Sequence, residues 1–336
     1  MKTIYTIIAL LGVCLHLSAH DADSTSLRPT FGVDFSSEVQ TDFERFRNAN
    51  LLQLHAHVPL SRKLTFEAGA IGSLVTGQEL DIIDLQGISN IDTYEMEVPF
   101  ALTVAGFTWQ PGDHHSLFAG IRRTDEDYFC SETLSLFTTS SCGIFPTISM
   151  NFPICTFPYA AVGFHYAYDN ENLRLQASLY NGEGYYRFTG PNNVFRFCPE
   201  SDGLFALAQA EYRHRGSHYY LGASLHSQPE ATPTVWTYAE QALWPNLTLL
   251  AAYGHAFGSY ISSPNFAALG GKYTYKRATF GLISTYARIL NTDEFSTEFV
   301  CNLQLTSFLA LKPAFHIITD NGTTKCVAQL RVNIGI

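Results

Sequence analysis

The sequence predicts an all-β fold, a closed antiparallel transmembrane β-barrel of about 16 strands. Three observations lead there. Segments of about ten residues alternate apolar and polar side chains with a period of two. Past the first 20 residues, no apolar run reaches the roughly 18 residues that a helical span requires. The composition suits strands, with 24 Gly, 18 Tyr and 25 Phe against three Met among 336 residues. Only 15% of residues are charged, against about 25% in soluble domains. Mean hydropathy is +0.02, which fits neither a helical membrane bundle nor a disordered chain.

The N-terminus reads as a secretory signal over residues 1–19. Lys2 supplies the basic start, Ile7 to Val13 the short apolar core, and Ser18 and Ala19 the small residues before cleavage. Cys14 raises a lipoprotein anchor as the alternative, but Val13 is bulky for the position before a lipidated cysteine. Removing the signal leaves 20–336 as a single barrel domain.

The alternation is clearest at the C-terminus, where Ala328, Leu330, Val332, Ile334 and Ile336 oppose Gln329, Arg331 and Asn333. Leu173, Leu175, Ala177 and Leu179 oppose Arg174, Gln176 and Ser178 in the same way. Counting such segments predicts strands near 31–39, 51–58, 64–75, 95–109, 115–123, 159–168, 173–181 and 204–213. The count continues near 218–226, 234–243, 247–256, 265–275, 278–289, 296–306, 308–318 and 326–336. Fourteen is the next count, because 234–243 is weakly patterned. Strands in hydrocarbon must pair on both edges, so an even number must close. Turn residues mark short connections at Asp169-Asn170, Arg215-Gly216, Pro245-Asn246 and Asn321-Gly322.

One long stretch falls outside the strands. Residues 124–158 hold Pro146, Pro153 and Pro158 together with many Phe, Ile and Leu. That content argues against disorder, so the stretch reads as a loop folded against or into the lumen. A second stretch, 76–94, is expected to carry a short turn of helix.

Export changes the reading of the cysteines. Cys130, Cys142, Cys155, Cys198, Cys301 and Cys326 remain after cleavage, an even number in an oxidising compartment. Bridges within 130–198, among Cys130, Cys142, Cys155 and Cys198, are the preferred expectation, with free buried thiols as the alternative. No C-x-x-C occurs, and His55 with His57 lacks a clear third ligand, so no metal and no cofactor is expected.

Net charge is −10 and no Lys/Arg-rich run is present, which sets nucleic-acid partners aside. Neither G-x-S-x-G nor H-E-x-x-H appears, and no dinucleotide fingerprint, so no enzyme is expected.

Several short motifs, in order and spacing, are similar to a known family. Gln86-Gly87-Ile88-Ser89-Asn90-Ile91 precedes a strand. Gly120 and Arg122-Arg123 lead into Asp125-Glu126-Asp127-Tyr128-Phe129. Leu136-Phe137 runs on to Ser140-Ser141-Cys142-Gly143, and Phe157-Pro158 leads to Gly163. Over residues 85–185 the chain resembles the carbohydrate-selective outer-membrane porins of the OprB type. It departs from them in lacking their N-terminal extension and in ending on Ile336 rather than an aromatic residue. The resemblance implies a Gram-negative outer membrane and passive, sugar-selective diffusion. The partners it implies are carbohydrates or other small hydrophilic solutes and outer-membrane lipid, with monomer against homo-oligomer left open. A general or non-sugar channel is the alternative; an outer-membrane barrel enzyme and a secreted β-sandwich come behind it.

Strand parity assigns the lining. Arg122 shares a face with Phe118 and Gly120, opposite Leu117, Ala119 and Ile121, so it points inward. By the same argument Arg174, Glu211, Arg213 and Arg331 are lumenal. Asp125, Glu126 and Asp127 begin the long loop and are placed to pair with these arginines across a waist. Ordinary ion pairs that merely hold the loop are the alternative reading of the same residues.

Overall fold

Strict alternation gives each strand one apolar and one polar face, and strands with such faces satisfy both edges only by closing on themselves. The computed structural model describes residues 27–93, 97–228, 232–258 and 261–336 and shows this closure. The expected signal segment lies outside the described residues. The strands are β1 Thr30–Thr41, β2 Phe46–Pro59, β3 Leu64–Gly77, β4 Val98–Gly112, β5 His115–Arg122, β6 Ala161–Asp169, β7 Leu173–Asn181 and β8 Leu204–His214. They continue as β9 Ser217–His226, β10 Thr232–Trp244, β11 Leu247–Ala256, β12 Asn265–Tyr275, β13 Ala278–Ile289, β14 Thr292–Gln304, β15 Leu309–Asp320 and β16 Thr323–Gly335. Each pairs antiparallel with its neighbours in sequence, and β1 seals against β16 from Asp34↔Gly335 to Thr41↔Ala328. The weakly patterned segment is a full strand, β10, paired on both sides. Sixteen is the count.

The connections after the even-numbered strands are short, whereas the other end carries the long segments 78–97, 123–160 and 182–203. The Asn321-Gly322 turn belongs to this long-loop end. Both residues are left-handed, with φ of 45° and 80°, as a two-residue hairpin between twisted strands demands.

The outer wall is apolar. Leu221 and Leu269 are 65% and 70% exposed, and Trp109, Trp244 and Tyr275 are exposed close to the short-turn ends of their strands. Leu221 sits mid-strand on β9. Leu221→Arg is therefore expected to cost about 2–4 kcal/mol if that wall meets hydrocarbon, read from reversible unfolding in lipid bilayers.

The interior differs from a uniformly wet lumen. Phe205, Leu207, Trp236, Tyr238, Leu250, Phe266, Ile283 and Val300 point inward and are buried. They pack on Phe129, Leu134, Phe137, Phe145, Ile148 and Ile154 of the 124–158 loop, which turns into the barrel as its composition suggested. The loop is too apolar to stand in water, so the wall behind it is apolar too. Trp236 follows that parity, buried and packed against the Phe129 ring. Two glycines let the loop touch the wall. A Cβ on Gly281 would lie 2.7 Å from Leu136, and one on Gly254 2.7 Å from Thr147.

The stretch 78–93 contains no helix; it too folds inward, as turns and extended chain. Leu80 and Ile88 pack on Ile318 and Val327. The backbone N–H of Asn90 donates to Thr138 O and that of Ser140 to Gly87 O, both at 2.7 Å. Chain that leaves a strand with this many buried apolar groups gains more by docking on a neighbouring loop than by forming an isolated turn of helix.

The expected cysteine bridges are not formed. All six cysteines among the described residues are free. The Cys155 thiol lies 3.3 Å from the Thr124 hydroxyl, while the Cys130 thiol contacts the carbonyl oxygens of Glu126 and Tyr128. Burial pushes the Cys155 thiol up to about 12, which leaves little thiolate for exchange.

Candidate functional site

Two inward loops leave space on one side of the lumen, toward the short-turn end. A cavity of about 750 Å³ is lined by Arg62, Lys63, Glu67, Arg122, Asp169 and Arg174 among others. A second of about 450 Å³ is lined by Glu132, Glu211, Arg213, His218 and Lys272 among others. Asp127 and Arg174 line both. The two cavities thus form one charged vestibule beneath the loop.

The root of the loop is fixed by Arg122. Its guanidinium donates two hydrogen bonds of 2.7 Å to the Asp127 carboxylate and one of 3.1 Å to Glu67. The same group stacks over Phe118, 4.7 Å from the ring centroid. His165 Nε2 lies 3.6 Å from Asp127, and Gln176 donates to the Asp127 carbonyl at 3.0 Å. Burial drives the Asp127 carboxyl above its ordinary range, and the charge and hydrogen bonds of Arg122 pull it back. Phe129 follows with a left-handed φ of 62°, a strained turn for a bulky residue. That turn aims its ring at Phe145 and Trp236, with centroids 4.7 and 5.2 Å away.

Further along, carboxylates on the wall hold the loop backbone. Glu240 accepts from Thr133 N at 2.7 Å. Glu298 accepts from the N–H and hydroxyl of both Thr138 and Thr139, over 2.7–3.1 Å. Glu294 does the same for the first loop, accepting from Leu85 N at 2.7 Å and Gln86 N at 3.1 Å. Lys272 pairs with Glu132 at 2.9 Å. The 124–158 loop leaves β5 and is tied to β14 on the far wall, so it crosses the lumen.

The residues expected at the waist therefore fall into three groups. Arg122, Asp127, Arg174, Glu211 and Arg213 come together around the vestibule. Asp125 and Glu126 turn away to Arg123, at 3.5 and 2.5 Å. Arg331 does point inward, but it pairs with Glu38 at 2.6 Å on the β1–β16 seam and lines neither cavity. The wall glutamates Glu240, Glu294 and Glu298 escaped the sequence reading. Their parity was legible, since Glu298 alternates with Phe299, but a partner in a distant loop leaves no local spacing. Among the described residues, no group of three or more His, Cys, Asp or Glu side chains stands ready for a metal.

No family model matches the chain, and no curated protein matches it in sequence. Solved structures do. The high-pH structure of OprB from Pseudomonas putida superposes with a TM-score of 0.74 at 13% identity, over 92% of this chain and 94% of that one. The fold is a porin fold. The low-pH structure of the same protein gives 0.62 at 13% identity, over 92% of each chain. A triple mutant of the Rhodopseudomonas blastica porin gives 0.62 at 10% identity, over 92% of this chain and all of that one. The likeness to OprB agrees with the resemblance read in residues 85–185.

Proposed function

We propose that the chain is an outer-membrane porin through which small hydrophilic solutes, sugars among them, diffuse passively. One observation carries the reading: an apolar outer wall encloses a charged vestibule that is narrowed by a loop crossing the lumen. Such a pore needs no nucleophile. It needs polar groups that replace water around hydroxyls, held in a fixed frame. The motif resemblance over 85–185 and the porin fold support the same reading.

Proteoliposomes carrying the protein should swell in isotonic monosaccharide, whereas empty vesicles should not. Faster swelling in a monosaccharide than in an amino acid of equal size supports sugar preference. Equal rates favour the general channel, and no swelling in either removes the porin reading.

A further inference from the structure

We propose that the connection between β7 and β8 carries a lipid site on the outside of the barrel. Its phenylalanines enter the acyl layer, and Arg187 holds the phosphate of an anionic lipid. The site rests on the membrane reading of the outer wall and not on solute passage.

One buried residue reveals where this connection runs. Ile121 faces outward, since it stands opposite Ala105 on β4 and Val162 on β6. Leu117 shares that face and is exposed, yet Ile121 is only 4% exposed. Val194 covers it, fully buried against Ile121 and Ala160, with Leu102 and Val162 packed alongside. The segment 186–197 therefore folds back over the outer wall instead of standing clear of it. Its side chains then divide between two sides. Val194 turns to the wall, and Arg196 turns to Asp202, donating bonds of 2.9 and 3.0 Å. Phe195 and Phe197 are left facing away, 55% and 53% exposed. Phe188 joins them, its ring stacked on Phe100 of β4 at 5.3 Å and edge-on to Phe195 at 6.1 Å.

Strand geometry sets the height of this patch. Phe100 and Trp109 are both exposed on β4, nine residues apart. At about 3.3 Å per residue and a tilt of about 40°, they are separated by about 23 Å along the barrel axis. The apolar band of a membrane barrel is about 25 Å tall, with aromatic residues at both edges. Trp109 marks one edge, so the Phe100 patch lies at the other, where headgroups meet acyl chains. Phe164, exposed two residues beyond Val162 on β6, joins the patch to the apolar wall below it.

Charge selects the occupant. Arg187 is exposed next to Phe188, its guanidinium 5.8 Å from the Tyr186 ring centroid. It enters no ion pair among the described residues. In a chain of net charge −10, a bare cation beside four exposed rings is set for an external anion. A planar guanidinium takes two oxygens of one phosphate, and the rings require that phosphate to carry acyl chains. A second copy docked face to face would bring two unpaired Arg187 groups together, which disfavours it.

The test is native mass spectrometry of the full-length protein in detergent, titrated with phosphatidylglycerol or phosphatidylcholine of matched chains. Wild type should retain phosphatidylglycerol in preference to phosphatidylcholine. Arg187→Gln should weaken phosphatidylglycerol retention about fivefold and leave phosphatidylcholine unchanged, and Arg187→Lys should recover part of the loss. Phe188→Ser, Phe195→Ser and Phe197→Ser combined should weaken both lipids, with heat-modified mobility confirming an intact barrel. Wild-type retention of phosphatidylglycerol in Arg187→Gln overturns the assignment. Displacement of the lipid by excess glycerol phosphate gives the site to a soluble phosphate and overturns it too. A dimer mass that the triple variant abolishes puts a second copy on the patch instead. A wild type that retains neither lipid overturns the site and the membrane reading of the wall together, while vesicle swelling reads the channel separately.

Discussion

Replacing Glu298 by Ala should unseat the 124–158 loop and widen the barrel lumen. The Glu298 carboxylate is 1% exposed and accepts from two backbone N–H groups and two hydroxyls of Thr138 and Thr139. Truncation leaves the two N–H groups and the Thr139 hydroxyl unpaired, at about 1–3 kcal/mol each, while the Thr138 hydroxyl keeps Gln329 Oε1 at 2.8 Å, so the docked loop should lose about 3 kcal/mol or more. The barrel wall keeps its own ladder of β14 with β13 and β15. The expected signature is therefore local: normal heat-modified mobility, higher single-channel conductance, weaker discrimination by solute size, and faster proteolysis within the loop. Glu298→Gln should fall between, since one of its two polar atoms no longer accepts. Wild-type conductance in Glu298→Ala would remove the loop from the constriction.

Arg122→Ala should be the most destabilising single change at the loop root. It strips both Asp127 and Glu67 of their strongest partner. Leaving a buried carboxylate uncompensated costs about 3–5 kcal/mol. Arg122→Ala combined with Asp127→Ala should recover much of that loss, and a double-mutant cycle by thermal unfolding measures the coupling. The pH dependence has a definite sign. Burial already raises the Asp127 carboxyl and Arg122 opposes it, so removing Arg122 raises it further. A folded-state carboxyl above its unfolded value binds its proton more tightly in the folded state. The variant should thus be less impaired near about pH 5 than near about pH 8, losing stability as the pH rises through the Asp127 value. A variant equally impaired at both ends would show that Asp127 does not carry the cost.

The barrel was legible because its rule is local. Period-two alternation around Leu173–Leu179 and Ala328–Ile336 fixes which residues face out, and closure of the sheet follows from it. Arg122, Arg174, Glu211 and Arg213 were placed inward by the same parity. The filling of the lumen was not legible. Phe205, Leu207 and Phe266 alternate as cleanly as a wet face would, and only the arrival of Phe137 and Phe145 from a distant loop explains their character. The partner of each acid was hidden for a similar reason. Asp125, Glu126 and Asp127 are consecutive, yet the first two pair with Arg123 and the third with Arg122, a division set by the local 3-10 turn at Thr124–Glu126. The cysteines misled because even number and export argue for pairing only where the fold brings thiols together.

The apolar seam between the 124–158 loop and the wall from β8 to β14 gives the molecule two different interiors within one cylinder. One half obeys the rules of a soluble protein's centre, where volume and shape decide which replacements survive. The other is governed by charge and hydration, and tolerates changes of size far better than changes of sign. A library randomised over all inward positions would split along that seam, with Phe266 and Ile283 answering to bulk and Arg174 and Glu211 to polarity. Engineering a wider passage thus means reshaping a solid, whereas retuning its preference means editing a solution.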